Sequence, residues 1–580
     1  MLTWMRVNVM GPSRSRAAIL RALLVATAGV MVIALQPMRA AGQAGLTHAD
    51  NAVPIPRGML RLSATPSWAR WDSRFTGDGS TTEPLGAVLT GEPLGTAQLP
   101  GFTQLESALR ALTGDPAFQL SLGRSAAFSS LRVVTTPISL EYGLTRRFSF
   151  GVTVPIVQRQ RELILDIAAI DTPTTWQRGV AGNVGPTRAN VDASVYAQAA
   201  RIASEIDAAT LQLSQLVALC TATPGAAGCG AVNADPMGAT ATIQEGAQVA
   251  AGIRYVYGTS GDAPGVGLVP RTQFDQTIST RLQALDARFA TYLGGTPIPT
   301  QTPPTGAAGA VASGDLRRLM SEGVAGMGPD SLGRISTIGI GDVEVGARFL
   351  LWDSRPRTIG DSISPEGFRL RATLGAVARF ATGEPPNVNE LFSVGAGDGQ
   401  SDAEASLGLD IETGTRIGAT IIGRYTAQLG TVATTRLPDA RGSLTPFGAS
   451  ANGTRALGDI FTLEVSPRFW LASSLFIGAH YGMIVRGRDT YTFPPTPIED
   501  APILPSVAPL PEHATVAGYT EHRGGFSISY STVADWERGR VRVPIEVSYT
   551  HLESFLGTSA MVPRAGRDQI QLRLYYRVRR

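Results

Sequence analysis

Residues 138–157 read ISLEYGLTRRFSFGVTVPIV, and their reading decides the fold. Val152, Val154 and Ile156 alternate with Gly151, Thr153 and Pro155, the period-two pattern of a half-buried strand. The turn-like YGLTRR stands just ahead of them, and a second run, LRVVTTPISLEYG, precedes the turn, so the unit reads as a hairpin. Its apolar face would meet a protein core in a soluble sheet and lipid in an outer membrane.

The same grammar recurs along the chain. RGMLRLSATPSWARWDSRF stands before the hairpin, and IGIGDVEVGARFLLW, FRLRATLGAVARFATG, DAEASLGLDIETG, RIGATIIGRYTAQLG, IFTLEVSPRFWL, SLFIGAHYGMIVRG, HRGGFSISYSTV, RVRVPIEVSYTHL and DQIQLRLYYRV follow it, making twelve strand candidates. Short connections such as YGLTRR, ETGTR and LASS alternate with long ones rich in Gly, Pro, Ser and Thr. An even strand count with short turns at one end and long loops at the other is the pattern of a bacterial outer-membrane barrel. The expected fold is therefore an all-β membrane protein, an antiparallel transmembrane β-barrel of about twelve strands.

Charge within the strands follows the same parity. Val343, Val345, Ala347, Phe349 and Leu351 share one face, and Asp342, Glu344, Gly346 and Arg348 the other. Lipid contact excludes charge from the central band of an outward face, so charged positions define the lumen. By that rule the lumen receives Glu344 and Arg348, Arg371 and Arg379, and then Asp402, Glu404, Asp410 and Glu412 from the next strand. Arg424, Glu464, Arg468 and His480 follow, then Arg542 and Glu546, and finally Arg573 and Arg577. These groups suit either ion pairing across the wall or a polar constriction that tunes selectivity.

Composition agrees. Charged residues make up 17% of the 580, against roughly 25% in an ordinary soluble protein, and every basic side chain is arginine. The net charge of +3, with no basic cluster, gives no reason to expect nucleic acid. Arg14, Arg16 and Arg21 precede the apolar run ALLVATAGVMVIAL and the small residues of RAAGQAG, the order of a secretory signal expected to occupy 1–44. Cys220 and Cys229 are the only cysteines, and in an oxidising compartment they are expected to form a disulfide. No metal site and no cofactor is expected: the five histidines are scattered, and GAGDGQSD at 395–402 reads as a loop turn.

Between the third and fourth strands the alternation stops, so the barrel is expected to comprise 45–160 and 335–580, with 161–334 a helical insertion on the cell-surface side. Val195, Ala199, Ile202, Ile206, Ala209, Leu213, Leu216 and Cys220 recur at spacings of four and three, a single helical stripe. FDQTISTRLQALDARFATYL predicts a second helix, with Thr272 and Asp275 in capping-box spacing and Gly294 and Gly295 at its end. FTQLESALRALTG is a short helical candidate in the first long loop, and DLRRLMSE a weak one in the insertion.

LEYGLTRRFSFGVTVPIV, GIGDVEVGARFLLW, and LRATLGAVARFATGE with GAGDGQSD together resemble the outer-membrane transporters described for the meta-pathway of phenol degradation. That family is related in architecture to fatty-acid and aromatic-hydrocarbon uptake channels. The resemblance implies a passive channel in the bacterial outer membrane for small molecules, hydrophobic or aromatic ones among them, and supplies no catalytic residue. The expected partners are outer-membrane lipid, a small solute and the outer-membrane assembly machinery, with the oligomeric state left open. The other reading is a structural protein whose barrel anchors a surface helical domain. No catalytic constellation favours an enzyme.

Overall fold

The computed structural model describes residues 54–578 except 78, 88–89, 91–92, 97–98, 100–101, 168–181, 187–192, 259–267, 310, 312–314, 316–332, 355–367, 388–392, 414–415, 437–449, 493–516 and 538. The expected signal segment and most of DLRRLMSE lie outside the described residues. Twelve strands follow one another around a barrel, each hydrogen-bonded antiparallel to its sequence neighbours, and the last pairs with the first.

β1 (Met59–Ala64 continued by Ser67–Trp71), β2 (Ser125–Gly143), β3 (Phe148–Ile167) and β4 (Gly333–Ile340 continued by Val343–Asp353) form the first third. β5 (Phe368–Phe380), β6 (Asp402–Thr413), β7 (Ile417–Gln428) and β8 (Ile460–Trp470) follow. β9 (Leu475–Arg486), β10 (Tyr519–Ser531), β11 (Ile545–Gly557) and β12 (Gly566–Arg577) complete it. The break in β1 costs no register, because Ala64 faces Ile138 and Ser67 faces Thr135; Pro66 simply has no N–H to give. In β4 an extra residue enters at Gly341 and Asp342, since Ile340 faces Ile156 while Glu344 faces Thr153.

Alternation then assigns every side chain to one of two surfaces. Ile138, Leu140, Phe150, Val152, Phe349, Leu374, Leu407, Ile528 and Leu572 are exposed on the outer face, a closed apolar belt for lipid. Among the described residues no helix is long and apolar enough to cross a membrane. The opening hairpin shows the division: Phe150 and Val152 are exposed, while Ser149 and Thr153 are buried inside.

β2 and β3, at 19 and 20 residues, are far longer than the roughly 9–11 needed to span a bilayer. Their long-loop ends stand beyond the membrane, and the inward Leu163, Leu165 and Ile167 there join an apolar core with the helices α1 (Thr103–Thr113), α2 (Ala193–Ala222), α4 (Pro236–Val256) and α5 (Asp275–Leu293). A short α3 (Gly230–Ala234) lies between α2 and α4. Because those strand residues face the barrel axis, the helical unit packs on the axis side of the extension. The buried stripe of α2 contains Ala199, Ile202, Ile206, Ala209, Leu213 and Cys220, with Val195 and Leu216 packed against it. Gly246 of α4 lies so close to α2 and α5 that a Cβ there would stand 2.6 Å from Thr210 Oγ1 and 2.8 Å from Phe289.

Three details differ from the sequence reading. The unit is not the insertion alone, since α1 from the first long loop contributes buried Leu105, Leu109 and Leu112. β3 runs on to Ile167 and β4 begins at Gly333, because strand pairing continues outside the bilayer. Thr272 does not cap α5; it opens a 3₁₀ turn over Thr272–Phe274, and Asp275 Oδ1 instead accepts the N–H of Gly306 at 3.2 Å.

Two predictions follow from this division of surfaces. Val152→Arg puts a charge in the lipid belt and is expected to cost about 2–4 kcal/mol if the site lies near the bilayer midplane, read as a lower urea midpoint for folding into vesicles. Cys220 and Cys229 form a disulfide with Cα atoms 5.4 Å apart at the turn between α2 and α4. Reducing it is expected to cost the hairpin about 2–3 kcal/mol and to speed proteolysis there, while the heat-modifiable gel mobility of the barrel is unchanged.

Candidate functional site

The lumen is built by parity, and its two walls differ. On β4 to β8 many inward positions are charged, and several of them face an opposite charge directly across the ladder. Glu344 is opposite Arg379, Arg379 is opposite Asp402, and Arg371 is opposite Asp410. Arg379 bridges Glu344 at 2.9 Å and Asp402 at 2.8 Å. Arg371 pairs with Asp410 and reaches Glu412 at 2.6 Å, while Arg468 pairs with Asp410 from the other side. Thr420 Oγ1 donates a further bond to Asp410 at 2.8 Å. Arg424 holds Glu464 at 2.9 Å, and Arg573 approaches Glu546 at 3.4 Å, where Tyr575 also donates at 2.6 Å. Glu404 accepts from Thr426 Oγ1 at 3.1 Å.

The side chains of Arg371, Asp410 and Glu344 are 2%, 0% and 0% exposed, so this part of the lumen is filled by its own charges. Small inward residues on the same wall leave a space of about 40 Å³ bordered by Glu141, Ser149, Thr373, Ser406, Arg348 and Arg424. Buried charges on this scale are sustainable only when paired and hydrogen-bonded; the register itself opposes Glu344, Asp402, Asp410 and Glu412 to arginines, and Arg424 and Arg468 reach their carboxylates diagonally.

The other wall, β9 through β12 to β3, adds hydroxyls and amides between its charges: Thr65, Thr135, Ser527, Ser529, Ser548, Gln569 and Gln571 are all buried there. Toward the long-loop end the lumen opens. Glu464, Ser466, His480, Gly482, Gly525 and Arg567 are inward-facing yet only half-buried, so solvent-sized space reaches them. His480 is fixed in that vestibule through Nδ1 to Ser466 Oγ at 2.9 Å.

Two expected lumen residues lie elsewhere. Arg542 is exposed in the connection ahead of β11, because Pro544 offers no N–H and the ladder begins only at Ile545. That connection also holds a helix, α6 (Val533–Glu537), which the sequence reading lacked. Arg577 has lumen parity but sits exposed at the rim, its guanidinium 5.3 Å from the Trp536 ring of α6. The reading also missed charged pairs that line the same space. Arg61 and Glu141 are directly opposed and bonded at 2.5 Å; Arg369 holds Asp353 at 2.7 Å, and Arg523 holds Glu521 at 2.7 Å. The signal for the first was present in RLS, where Arg61 alternates with Leu60 and Leu62, but Pro66 shortened the pattern.

No family model and no curated protein matches the sequence. Among solved structures, it is similar to an outer membrane channel from Pseudomonas putida F1, with 7% identity over 91% of this chain and 99% of that one and a TM-score of 0.38. The toluene transporter TodX of Pseudomonas putida gives 10% identity, coverage of 95% and 98%, and a TM-score of 0.22. The translocator domain of the autotransporter NalP from Neisseria meningitidis gives 7%, coverage of 97% and 97%, and 0.26. These superpositions are loose. The place of the chain in the bacterial outer membrane rests on its own closed antiparallel barrel and apolar belt.

Asp410→Asn leaves Arg371 and Arg468 facing one another with Glu412 alone between them. It is expected to destabilise the barrel by about 3–5 kcal/mol, measured as a shift in the urea midpoint in lipid vesicles.

Proposed function

We propose that the chain is a passive outer-membrane channel for the uptake of small solutes. One observation carries the reading: a closed barrel with an apolar exterior encloses a charged and hydroxyl-lined lumen whose long-loop half is reached by solvent. An anchor needs no such interior, since about eight strands already make a barrel that side chains fill, and twelve enclose more. The wall suits a small solute with an oxygen-bearing end, aromatic ones included, because Ser, Thr, Gln and Arg bond oxygen while the remaining ring can lie against Val133, Leu131 and Leu552. Among the described residues no group of His, Cys, Asp and Glu is arranged to hold a metal ion, and the reading contains no catalytic step.

The expected side for the helical unit is the cell surface, since short turns face the periplasm in bacterial barrels. Assembly then proceeds through the outer-membrane insertion machinery. The second reading, a barrel that anchors this unit for a partner, draws on the separate core of the unit and its disulfide.

The two readings part in planar bilayers. Purified full-length protein is expected to give discrete conductance steps and to admit small solutes into liposomes. A barrel that stays sealed at every voltage and salt concentration overturns the channel and leaves the anchor.

A further inference from the structure

One register row of the vestibule has an unusual composition. Arg159 on β3 faces Val133, Val133 faces Ala69, and Ala69 faces Arg567 on β12. The row continues through Leu552 and Gly525 to His480 on β9. Seven consecutive strands thus present their inward positions at one hydrogen-bonded level, and the ionisable groups among them are two arginines and a histidine. No carboxylate is in the row.

Carboxylates do lie nearby, and those that act on Arg567 are already held by other arginines. Glu521 and Glu464 act on Arg567; the first takes two bonds from Arg523 at 2.7 and 2.8 Å, and the second takes Arg424 at 2.9 Å. Asp342 and Asp398 act on Arg159 and partly offset it, since the backbone N–H groups they accept from Gly383 and Gln400, both at 2.8 Å, are neutral; Arg567 has no such counter-charge to itself. Arg567 itself is half-buried and makes no hydrogen bond or ion pair among the described residues, and Arg159 Nε has no hydrogen-bond partner among them. The two carboxylates that act on Arg567 are thus each committed to another arginine.

The next row toward the short-turn end is uncharged from β3 to β9. Thr135, Ser67, Gln569, Thr550 and Ser527 form it, side chains that bond oxygen without adding charge. A solute entering from the long-loop end therefore meets the basic collar first and the hydroxyl and amide wall after it.

We infer that this collar makes the channel selective for anions, with small carboxylates the solute class, and that Arg567 is its principal selecting residue. The guanidinium offers a planar pair of donors to a carboxylate, and the low-dielectric surroundings of a narrow vestibule magnify the field of one uncompensated charge. The inference rests on the channel reading and adds the sign of charge that the channel favours.

The test uses full-length protein in planar bilayers under a potassium chloride gradient, and then a potassium acetate gradient. The reversal potential is expected to show chloride and acetate each permeating ahead of potassium. Arg567→Gln is expected to lower the anion-to-cation permeability ratio on the order of threefold. Arg159→Gln should act in the same direction, and Arg567→Lys, which keeps the charge, should hold the ratio near that of the parent. Cation preference in the parent, or a ratio unchanged in both glutamine variants, overturns the selectivity inference while leaving the channel standing. Absence of conductance in the parent removes the channel reading and this inference with it.

Discussion

The pairing of β1 with β12 is the contact on which everything else depends. Within a bilayer no water is present to take up a free N–H or C=O, so an open strand edge would cost several kcal/mol for each unpaired group. Met59 facing Arg577 and Ala64 facing Leu572 remove that edge. Once the sheet is closed it has an inside and an outside, and alternation distributes side chains between them without further instruction. Charge goes inward because lipid will not receive it, and the lumen is polar for the same reason. The two irregularities respect the constraint. Pro66 has no donor to leave unpaired, and the extra residue at Gly341 and Asp342 is satisfied locally, with Gly341 N–H on Pro155 O at 2.8 Å and Asp342 accepting from Gly383.

The inward charges then need a way to coexist, and the register supplies it. Arg371 beside Asp410 and Arg379 beside both Glu344 and Asp402 are cross-strand neighbours, so each pair forms at the distance the ladder sets. Such pairs repay much of the desolvation that burial exacts but gain little beyond it. Their consequence is mechanical as much as energetic: long guanidinium arms reaching across β4 to β8 brace that side of the lumen. The division between the two walls follows from where the sequence puts Arg and Asp or Glu on adjacent strands, as against Ser, Thr and Gln.

Much of this was legible before any coordinates. The alternation in residues 138–157 assigns Phe150 and Val152 to lipid and Ser149 and Thr153 to the lumen, and the stripe from Val195 to Cys220 gives the buried face of α2. Both are local periodicities, set by the geometry of one element. Arg542 was misplaced because parity alone cannot say where a ladder starts, and Pro544 decides that. The part played by α1 in the helical core depends on contacts between segments some eighty residues or more apart, on which spacing is silent. Arg567 and Arg573 are the hardest case. They sit six residues apart on the same face of the same strand, and only the register with β11 shows that one approaches Glu546 while the other faces Leu552.

The same register bears on how a solute reaches the vestibule. Leu163, Leu165 and Ile167 are inward residues continued past the bilayer, so the core they nucleate with α1, α2, α4 and α5 has to lie over the axis. Two chain connections through β3 and β4, a third contact through α1 and the Cys220 to Cys229 closure all restrain that unit. That core ties the helical unit to the inner side of the β3 extension. The half-buried residues from Glu464 to Gly525 lie on β8 to β10, across the barrel from it. The side-chain exposure inside the barrel is thus found on the strands away from the helical unit.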